Sequence, residues 1–598
     1  MHTRWMVFLL TLTAFTWAQY QPRSPYLQDP DRIFGYIDSC AVFWHTGYDN
    51  SRGGFYTNIN RQGNVYGGTA KDMLTQSRNA YGQVRAFMLT GDTTYLGYAR
   101  GALDFMYAGA WDGANGGWYR SMDANGNPTT VNEWKTAFYQ HYALVGISAY
   151  AEATGDTAHW SWLHRGYAHN DAVFWDDRPD YFGYWDESSP DGSQVRNKTF
   201  NATVDAITTH LLTLYLQTGD SRYMDRLQAM ADNSLDHLVA SMSSQAIGFA
   251  EKYNDDWVIR SNETLTIMGH VLKTAWCLGR IHMLAPDQSY VDGAELLVED
   301  VLNLGYDHEY GGPYKDYNRI TGEMQMWGNP DTAKAWWQMQ QAVMAGMQMY
   351  YITEEDRYLE MADESLDFFM RHFVDHTFGE VYENRERSGP LTWGDQKGGG
   401  GKAGYHSIEL GYYTYLYAKL FYHRDPVTLH YRFAPLDNAR DIALSPLAIP
   451  AGALAVQSVT RDGQPYTDVD YTGRVLHLPA GTGGHFTVTY APVLTAIADR
   501  GETHLPGGIA LHANYPNPFN PTTRIPFELA DSAPVRMTVF NVRGQEIATL
   551  VEATLAAGAH EVTWDGRDGE GRPVGSGLYL YELRTGDERQ VRRMILLR

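Results

Sequence analysis

The sequence predicts an all-α (α/α)6 toroid followed by a small β domain and a C-terminal Ig-like β-sandwich. Three observations lead to this prediction. A glycine beside an aromatic residue or a proline recurs six times at a nearly constant spacing, a polar turn recurs in phase with it, and alternating strand patterns replace the helical ones from His430 onward. Six copies at one period are typical of a closed or solenoidal array of repeats.

The two markers divide each copy into a pair of helices. Between glycine and turn lies a mostly apolar stretch with helical spacing, such as residues 138–151, and after the turn comes an amphipathic one, such as residues 222–238. Each copy therefore predicts a hairpin, an inner helix, a turn and an outer helix. The glycines are Gly54, Gly117, Gly183, Gly248, Gly312 and Gly379. The turns end at Asp92, Asp156, Asp220, Asp287, Asp356 and Asp425.

Six copies give twelve helices, and six nearly apolar helices are buried when six amphipathic ones surround them. This arrangement predicts a closed toroid over residues 19–428, with an open α-solenoid as the alternative. The inner helices begin at one end, so the hairpins and the helix N-termini share one face. We expect the functional pocket on that face, where loops carry chemistry and helix N-termini favour negative charge.

The composition excludes several classes of protein. The 598 residues carry a formal net charge of −23, which repels the phosphate backbone of nucleic acid. Cys40 and Cys277 are too few for a disulfide framework or a cysteine-rich metal site, and His141, His210 and His282 lack metal-ligand spacing. We expect no metal and no cofactor. The 17 Trp, 42 Tyr and 22 Phe suffice to line a ligand pocket as well as a core.

The first residues have the pattern of a signal peptide. Arg4 precedes an apolar stretch that ends in a small-x-small cleavage pattern at residues 16–18, so residues 1–18 are excluded from the fold. No later run reaches the ~18 to 20 apolar residues that cross a bilayer. We therefore expect an exported soluble protein without a transmembrane segment.

The chain after the repeats shows two β regions. Residues 429–495 alternate in polarity between Asp-Gly and Gly-rich turns, which predicts a small β domain, and a linker follows at residues 496–510. Residues 511–598 again show alternating strands between Asp-Gly and Gly-Arg turns. This pattern predicts an all-β sandwich.

The last region also carries a specific set of motifs. It opens with YPNPFNPTT at 515–523, contains Gly544, WDG at 564–566 and SGLY at 576–579, and ends on a basic and apolar stretch at 592–598. These motifs resemble the C-terminal sorting domain of the type IX secretion system, and are similar also to a flagellar-hook-type Ig fold. The resemblance implies that the type IX machinery carries the protein across the outer membrane of a Bacteroidetes-like bacterium, for release or surface attachment. The alternative is an adhesion or spacer module.

The junctions between hairpins and inner helices supply the candidate site, because they share one face of the predicted toroid. Lysines stand at the helix entrances: Lys71, Lys135, Lys198, Lys334 and, similarly placed in the sixth copy, Lys402. Arg78, Asp205 and His270 each follow seven residues after an entrance position. Equal spacing predicts side chains at similar depth facing the axis. The equivalent faces of the fifth and sixth copies carry Trp336, Trp337, Gln340, Tyr405 and His406.

Residues 54–422 resemble the N-acylglucosamine 2-epimerase superfamily of sugar epimerases and isomerases, which includes cellobiose 2-epimerases and aldose-ketose isomerases. The matching residues are the Arg of LTQSRNAYG (Arg78), the His of GHVLKTAW (His270), the KAWWQMQ helix (Trp336, Trp337) and the GYHS turn (His406). The resemblance implies an (α/α)6 barrel in which the Arg polarises the sugar carbonyl oxygen. It also implies that the two His form the acid/base pair and that the tryptophans stack on the sugar.

The chemistry of such a reaction explains the residue types. Inverting C2 of an aldose removes a weakly acidic proton beside the carbonyl, and His gives and takes protons near neutral pH. A second acid on the opposite face inverts the centre, delivery of the proton to C1 gives the ketose, and a fixed cation stabilises the enediolate. We therefore predict a cofactor-independent sugar 2-epimerase or aldose-ketose isomerase that acts on a mono- or oligosaccharide. The predicted catalytic residues are His270, His406 and Arg78, and the predicted substrate-binding residues are Trp336, Trp337, Tyr405, Asp205, Gln340 and Lys402.

Two positions depart from the family pattern and keep other functions open. Many members have His-x-x-Glu in the fourth inner helix, where this chain has Lys273, and the disaccharide epimerases have His-x-His in the third, where it has Thr203 and Asp205. One alternative is a glycoside or unsaturated-uronyl hydrolase on the same toroid, which needs paired carboxylates from Asp205, Glu263 or Asp395. Another is an inactive glycan-binding relative, which Lys273 favours.

Some of these residues also have a structural interpretation. Trp336 and Trp337 are adjacent on a helix and point about 100° apart, so at least one of them is expected to fill the barrel. A structural ion pair between Arg78 and Asp205 is the alternative to a role at the sugar. The glycines at residues 398–401 lack the spacing of a phosphate-binding loop and predict a flexible lid.

Overall fold

The computed structural model describes residues 20–493 except 327 and 451, and residues 509–596 except 513, 515–518, 542–544 and 587. The predicted signal peptide and most of the predicted linker lie outside the described residues, as do residues 515–518 of the YPNPFNPTT motif. The chain divides into two compact units at residue 493. Each unit is described by itself.

The first unit is a closed (α/α)6 toroid, as predicted. The inner helices are α2 (Met73–Thr90), α4 (Ala137–Thr154), α6 (residues 200–218), α8 (Met268–Leu284), α10 (Trp336–Thr353) and α12 (residues 406–423). The outer helices are α1 (Ile33–His45), α3 (Thr94–Gly109), α5 (Thr157–Phe174), α7 (residues 221–239), α9 (residues 288–305) and α11 (residues 356–373). A π-helical turn interrupts α6 at Ile207–Leu211.

Helix α1 closes the ring. It precedes the first glycine motif and packs between α12 and α2, so it takes the place of the outer helix that the sixth copy lacks. The Tyr36 hydroxyl donates to the carbonyl oxygen of Ser407 at 2.7 Å, and the Gln83 side chain donates to that of Ala41 at 2.9 Å. The sequence pattern ends in strands after the sixth inner helix, so the twelfth helix had to come from the other end of the repeats.

The recurring glycines turn each hairpin toward its inner helix. Gly54 and Gly117 have φ near +75°, a conformation that glycine adopts without steric cost. The amide of Gln76 on α2 then accepts from the backbone N–H of Phe55 at 2.6 Å and donates to its carbonyl at 2.7 Å. Gln140 on α4 binds the backbone of Trp118 in the same way. Inner helices therefore hold the hairpins through paired backbone hydrogen bonds.

Buried lysines form a second repeated clamp. Lys71 Nζ lies 2.9 Å from Asp49 Oδ2 and 2.7 Å from the carbonyl oxygen of Gly53, so it ties an aspartate after an outer helix to the glycine motif. The other clamps join Lys135 to Asp112, Lys198 to Asp176, Lys334 to Asp307 and Lys397 to Asp375. The prediction that the entrance lysines face the candidate site is therefore wrong for Lys71, Lys135, Lys198 and Lys334, because these buried ammonium groups need carboxylate partners. Lys397, and not Lys402, occupies the equivalent place in the sixth copy.

Seven strands follow α12 and share its core. Val427–Phe433, Gly484–Pro492, Leu454–Arg461 and Gln464–Pro465 form one antiparallel sheet, and Arg440–Ala443, Val475–Leu478 and Val469–Asp470 form another. Val427–Phe433 passes over the glycines that end α2 and α4, with His430 against Gly91 and Phe433 against Gly155. The sheets therefore cover the end of the toroid opposite the hairpins. The predicted boundary at residue 428 stays a prediction.

The second unit is a β-sandwich. Its first sheet contains Ile509–Leu511, Thr523–Leu529 and Gly558–Trp564, and its second contains Glu546–Leu555, Ala533–Asn541, Gly577–Thr585 and Glu588–Leu596. Trp564, Met537 and Tyr581 are buried between the sheets. In the described parts of both units, no helix has the length and apolar character needed to cross a membrane.

Two buried histidines predict acid sensitivity of the first unit. His141 and His210 stack at 5.4 Å between ring centroids, and burial lowers the pKa of His141 to about 4 and holds that of His210 well below its ordinary value. As the pH falls, these histidines therefore take up protons in the unfolded chain before they do so in the folded one. Their contribution to the free energy of unfolding is fully present above about pH 6.5 and is lost as the pH drops toward 4. From pH 7 to pH 5, His141 alone accounts for a loss of about 2 kcal/mol.

Urea unfolding at pH 7 and pH 5 checks this expectation. The His141→Phe variant keeps an aromatic ring that does not titrate, so it should lose less stability between the two pH values than the unaltered protein. His376→Gln, at an exposed position, should leave the pH dependence unchanged. Equal pH dependence in all three proteins would contradict the assignment.

Candidate active site

The N-termini of three inner helices bring two histidines against one tryptophan. His270 lies in the first turn of α8, His406 begins α12, and Trp337 lies in the first turn of α10. The Trp337 ring centroid is 5.2 Å from that of His270 and 6.0 Å from that of His406. Trp337 is partly exposed. The three rings therefore border one space on the hairpin side of the toroid.

A glutamate that the sequence reasoning missed orients His270. Glu251 Oε2 lies 3.0 Å from His270 Nδ1, and its other oxygen accepts from the backbone N–H of Ile267 at 2.9 Å. The His270 ring stacks on Phe200 at 3.9 Å. Nδ1 therefore carries the hydrogen, and Nε2 is the nitrogen available to a substrate. Glu251 follows the fourth glycine motif by three residues, and its acidic side chain in the apolar IGFAEKY stretch was the only signal for it.

An amide orients His406. Gln340 Oε1 lies 2.7 Å from His406 Nδ1, while Gln340 Nε2 donates to Glu409 Oε2 at 2.6 Å. The amide oxygen can only accept, so Nδ1 of His406 carries the hydrogen and Nε2 carries the lone pair. Each histidine thus has Nδ1 fixed by an acceptor and Nε2 left for proton transfer.

The surroundings of the two histidines differ in charge. Burial, together with the nearby cations Arg78 and Lys273, holds the pKa of His406 well below its ordinary value, so its ring is neutral near pH 7. His270 instead lies beside a carboxylate, with Glu251 Oε2 3.0 Å from its Nδ1. The two imidazoles therefore have surroundings of opposite charge, with cations near His406 and an anion beside His270.

Arg78 supplies a cation without a carboxylate partner among the described residues. Its guanidinium lies 4.3 Å from the centre of the Tyr142 ring and donates to the carbonyl oxygen of Gly401 at 2.5 Å, and its buried Nε has no hydrogen-bond partner there. Asp205 pairs instead with Lys273 and accepts from Asn201 at 2.9 Å. Arg78 is therefore free of the ion pair with Asp205, and a bound oxygen would satisfy its unpaired N–H.

The remaining predicted site residues lie deeper. Trp336 and Tyr405 are buried, and their rings are 6.0 and 4.5 Å from that of His406. Lys402 is buried and binds Glu380 Oε1 at 3.0 Å, so its ammonium is held by that carboxylate. Trp337 is the more exposed of the two tryptophans, which leaves Trp336 as the one that fills the barrel.

The carboxylates considered for a hydrolase do not meet. Asp205 is held by Lys273, and Glu263 binds Lys252 on a hairpin at 2.9 Å. No hydrogen bond in the described structure joins either of them to Asp395 or to the other. Among the described residues, no cluster of His, Cys, Asp and Glu has the arrangement of a metal site.

Comparison with known proteins identifies the family. The sequence profile of the N-acylglucosamine 2-epimerase (GlcNAc 2-epimerase) family matches residues 54–409. The chain belongs to this family. Members of the family similar to this chain are carbohydrate epimerases and isomerases, and the matched segment contains Arg78, His270 and His406.

Similar proteins include two with named activities. The D-mannose isomerase of Marinomonas mediterranea is 21% identical over 393 residues, which cover 63% of this chain and 94% of the isomerase. The cellobiose 2-epimerase of Bacteroides fragilis is 22% identical over 372 residues, which cover 60% of this chain and 91% of the epimerase. The strands after residue 427 lie beyond the segment that the family profile matches.

Solved structures share the toroid. A crystal structure of D-mannose isomerase superposes with a TM-score of 0.59 at 20% identity and covers 66% of this chain and 99% of its own. The cellobiose 2-epimerase of Spirochaeta thermophila superposes with a TM-score of 0.58 at 21% identity, over 66% of this chain and 98% of its own. In the second unit, the profile of the FlgD Ig-like domain matches residues 514–588.

Proposed function

We propose that this protein epimerises sugars at C2 or interconverts aldoses and ketoses, without a cofactor, by proton transfer between two histidines. The observation that carries the proposal is the pair His270 and His406, each with Nδ1 held by an acceptor and each with its ring within 6.0 Å of the Trp337 ring. The named activities of the similar proteins, D-mannose isomerase and cellobiose 2-epimerase, support it.

The residues divide the reaction into two proton transfers. The neutral His406 takes the C2 proton through Nε2, and Gln340 keeps that nitrogen unprotonated beforehand. The negative charge moves to the carbonyl oxygen, where Arg78 donates to the enediolate. His270, oriented by Glu251, in its protonated form returns a proton to the other face of C2 for epimerisation. Delivery to C1, together with transfer of the O2 hydroxyl proton to O1, gives the ketose. The roles of the two histidines exchange in the reverse direction.

Incubation with a panel of mono- and disaccharides in deuterium oxide tests the proposed function. Deuterium at C2 of an epimer, or at C1 of a ketose formed from an aldose, identifies proton abstraction even when turnover is slow. Release of a shorter sugar without exchange would indicate hydrolysis instead. A panel that shows neither exchange nor cleavage, although binding is measurable, would favour an inactive glycan-binding relative.

We further propose that the second unit addresses the protein to the type IX secretion system, and that the chain reaches the cell surface or the medium after removal of residues 1–18. The YPNPFNPTT opening and the basic and apolar end at 592–598 support this proposal. Its Ig-like match is compatible with a sorting domain and equally with a spacer, so localisation decides between them.

Truncation tests the export proposal. In a bacterium that has the type IX machinery, a chain without residues 511–598 should stay in the periplasm and keep its catalytic activity. Residues 511–598 fused to a periplasmic reporter should bring the reporter to the surface or the medium. Normal surface delivery of the truncated chain would refute the proposal and favour the spacer.

A further inference from the structure

A polar cavity lies at the end of the toroid opposite the candidate active site. Arg85 on α2 and Arg280 on α8 line it, each seven residues, or about 10 Å, farther along its helix than Arg78 and Lys273. Glu152 and Gln217 also line it, as does Ser445, which follows the strand Arg440–Ala443. The cavity has room for a guest the size of a water molecule.

The charges of the inner helices do not balance. Their buried cations are Arg78, Arg85, Lys273 and Arg280, and their buried carboxyl groups are Glu152, Asp205 and Glu409. Arg85 binds Glu152 at 2.8 Å, and Lys273 binds Asp205. Burial raises the pKa of Glu409, whose oxygens accept from Gln340 at 2.6 Å and from the Tyr81 hydroxyl at 2.9 Å. Two arginines therefore have no contacting carboxylate in the described structure, Arg78 in the candidate active site and Arg280 in the cavity.

Arg280 is poorly satisfied for a buried cation. Its guanidinium donates to the Tyr413 hydroxyl at 3.2 Å and lies 4.4 Å from the centre of the Trp276 ring, and its Nε has no partner among the described residues. The Nε of Arg85 lacks a partner in the same way. Burying an unpaired charge is costly, because neither an aromatic ring nor a hydroxyl replaces its hydration.

We infer that the cavity binds one monatomic anion of the chloride type against Arg280. The ligand is negative because it balances the unpaired guanidinium, and it is monatomic because the space holds a guest the size of water and excludes phosphate. Gln217 donates one amide hydrogen to the carbonyl oxygen of Ser445 and keeps the other for the anion. Arg85 pairs with the Glu152 carboxylate on the cavity wall at 2.8 Å, so that carboxylate has a cation of its own.

The strands that cover the end of the toroid contribute to this site. Ser445 follows Arg440–Ala443 and lies outside the residues that the family profile matches, so the segment supplies a wall that the matched toroid alone does not contain. The anion therefore links the covering sheets to the toroid. It lies on the side of Tyr81 and Arg85 away from the two histidines, and the proton transfers do not use it.

Thermal unfolding of the full chain in different sodium salts tests the site. At equal ionic strength, chloride or bromide should raise Tm by at least about 2 °C over gluconate, which is too large to enter, and the rise should saturate with concentration. Arg280→Met should abolish the difference between the salts. Arg165→Met is the matched control, because Arg165 lies over Trp111 at the same 4.4 Å but is exposed, and it should keep the difference.

Crystals of the unaltered protein grown in bromide give a second measurement that needs no variant. An anomalous difference peak beside the Arg280 guanidinium supports the site, even where Arg280→Met does not fold. Equal Tm in the three salts, a loss of the salt effect in Arg165→Met, or ordinary water density in the cavity would each overturn the inference.

Discussion

Replacing His406 with Asn is expected to lower kcat by at least ~100-fold on any sugar that the unaltered protein epimerises or isomerises. The change keeps a side chain of similar size that still reaches Gln340, so the fold survives while the titrating Nε2 is lost. His270→Asn should cause a loss of the same order, because Glu251 then orients an amide that carries no proton to the substrate. Initial rates at saturating sugar measure both effects.

Exchange with solvent distinguishes proton transfer from a merely structural role. When one histidine is removed, the other still works on its own face, so one of the variants should exchange the C2 proton of one epimer with deuterium while failing to interconvert the epimers. Replacement of the exposed His376 by Asn controls for the loss of an imidazole and should leave turnover unchanged. Near-normal turnover of both active-site variants would remove the histidines from the mechanism.

The repeat made the toroid predictable. A glycine that must adopt positive φ and a polar turn that ends each inner helix recur at fixed intervals in the sequence. The period of the repeat and the positions of its helices could therefore be predicted. His270, Trp337 and His406 meet because all three lie in the first turns of inner helices that begin at one face.

Partnerships across the fold were not predictable in the same way. The entrance lysines were expected in the candidate site, yet each binds a carboxylate 22 or more residues earlier in the chain. Only the packed hairpin brings Lys71 to Asp49. Glu251 likewise reaches His270 only because the hairpin before α8 folds back, since the two residues are 19 apart in the chain. The outer helix α1 was not predicted, because it precedes the first glycine motif in the sequence and so lies outside the repeats that predicted the other helices.

Replacing Lys273, which departs from the family pattern, is expected to lower the stability of the protein strongly. Lys273 is buried, binds Asp205, and donates to the Tyr142 hydroxyl at 3.1 Å. Lys273→Met removes the cation but leaves the buried Asp205 carboxylate without its partner. The free energy of unfolding should fall by about 3–5 kcal/mol, because an uncompensated buried charge costs more than the ion pair contributes.

A double substitution distinguishes the contribution of the Lys273–Asp205 ion pair from the effect of leaving one of its charges unpaired. Lys273→Met combined with Asp205→Leu replaces both charges by apolar groups of similar volume, so most of the lost stability should return, and the coupling in a double-mutant cycle should be strong. Arg222→Met, which breaks an exposed pair with Asp220, should cost at most about 1 kcal/mol. Urea unfolding of five proteins measures these values: the unaltered protein, Lys273→Met, Asp205→Leu, the double variant and Arg222→Met. Equal destabilisation of the single and double variants would mean that Lys273 acts through packing and not through its charge. If the double variant keeps its turnover, the presence of Lys273 does not indicate an inactive relative.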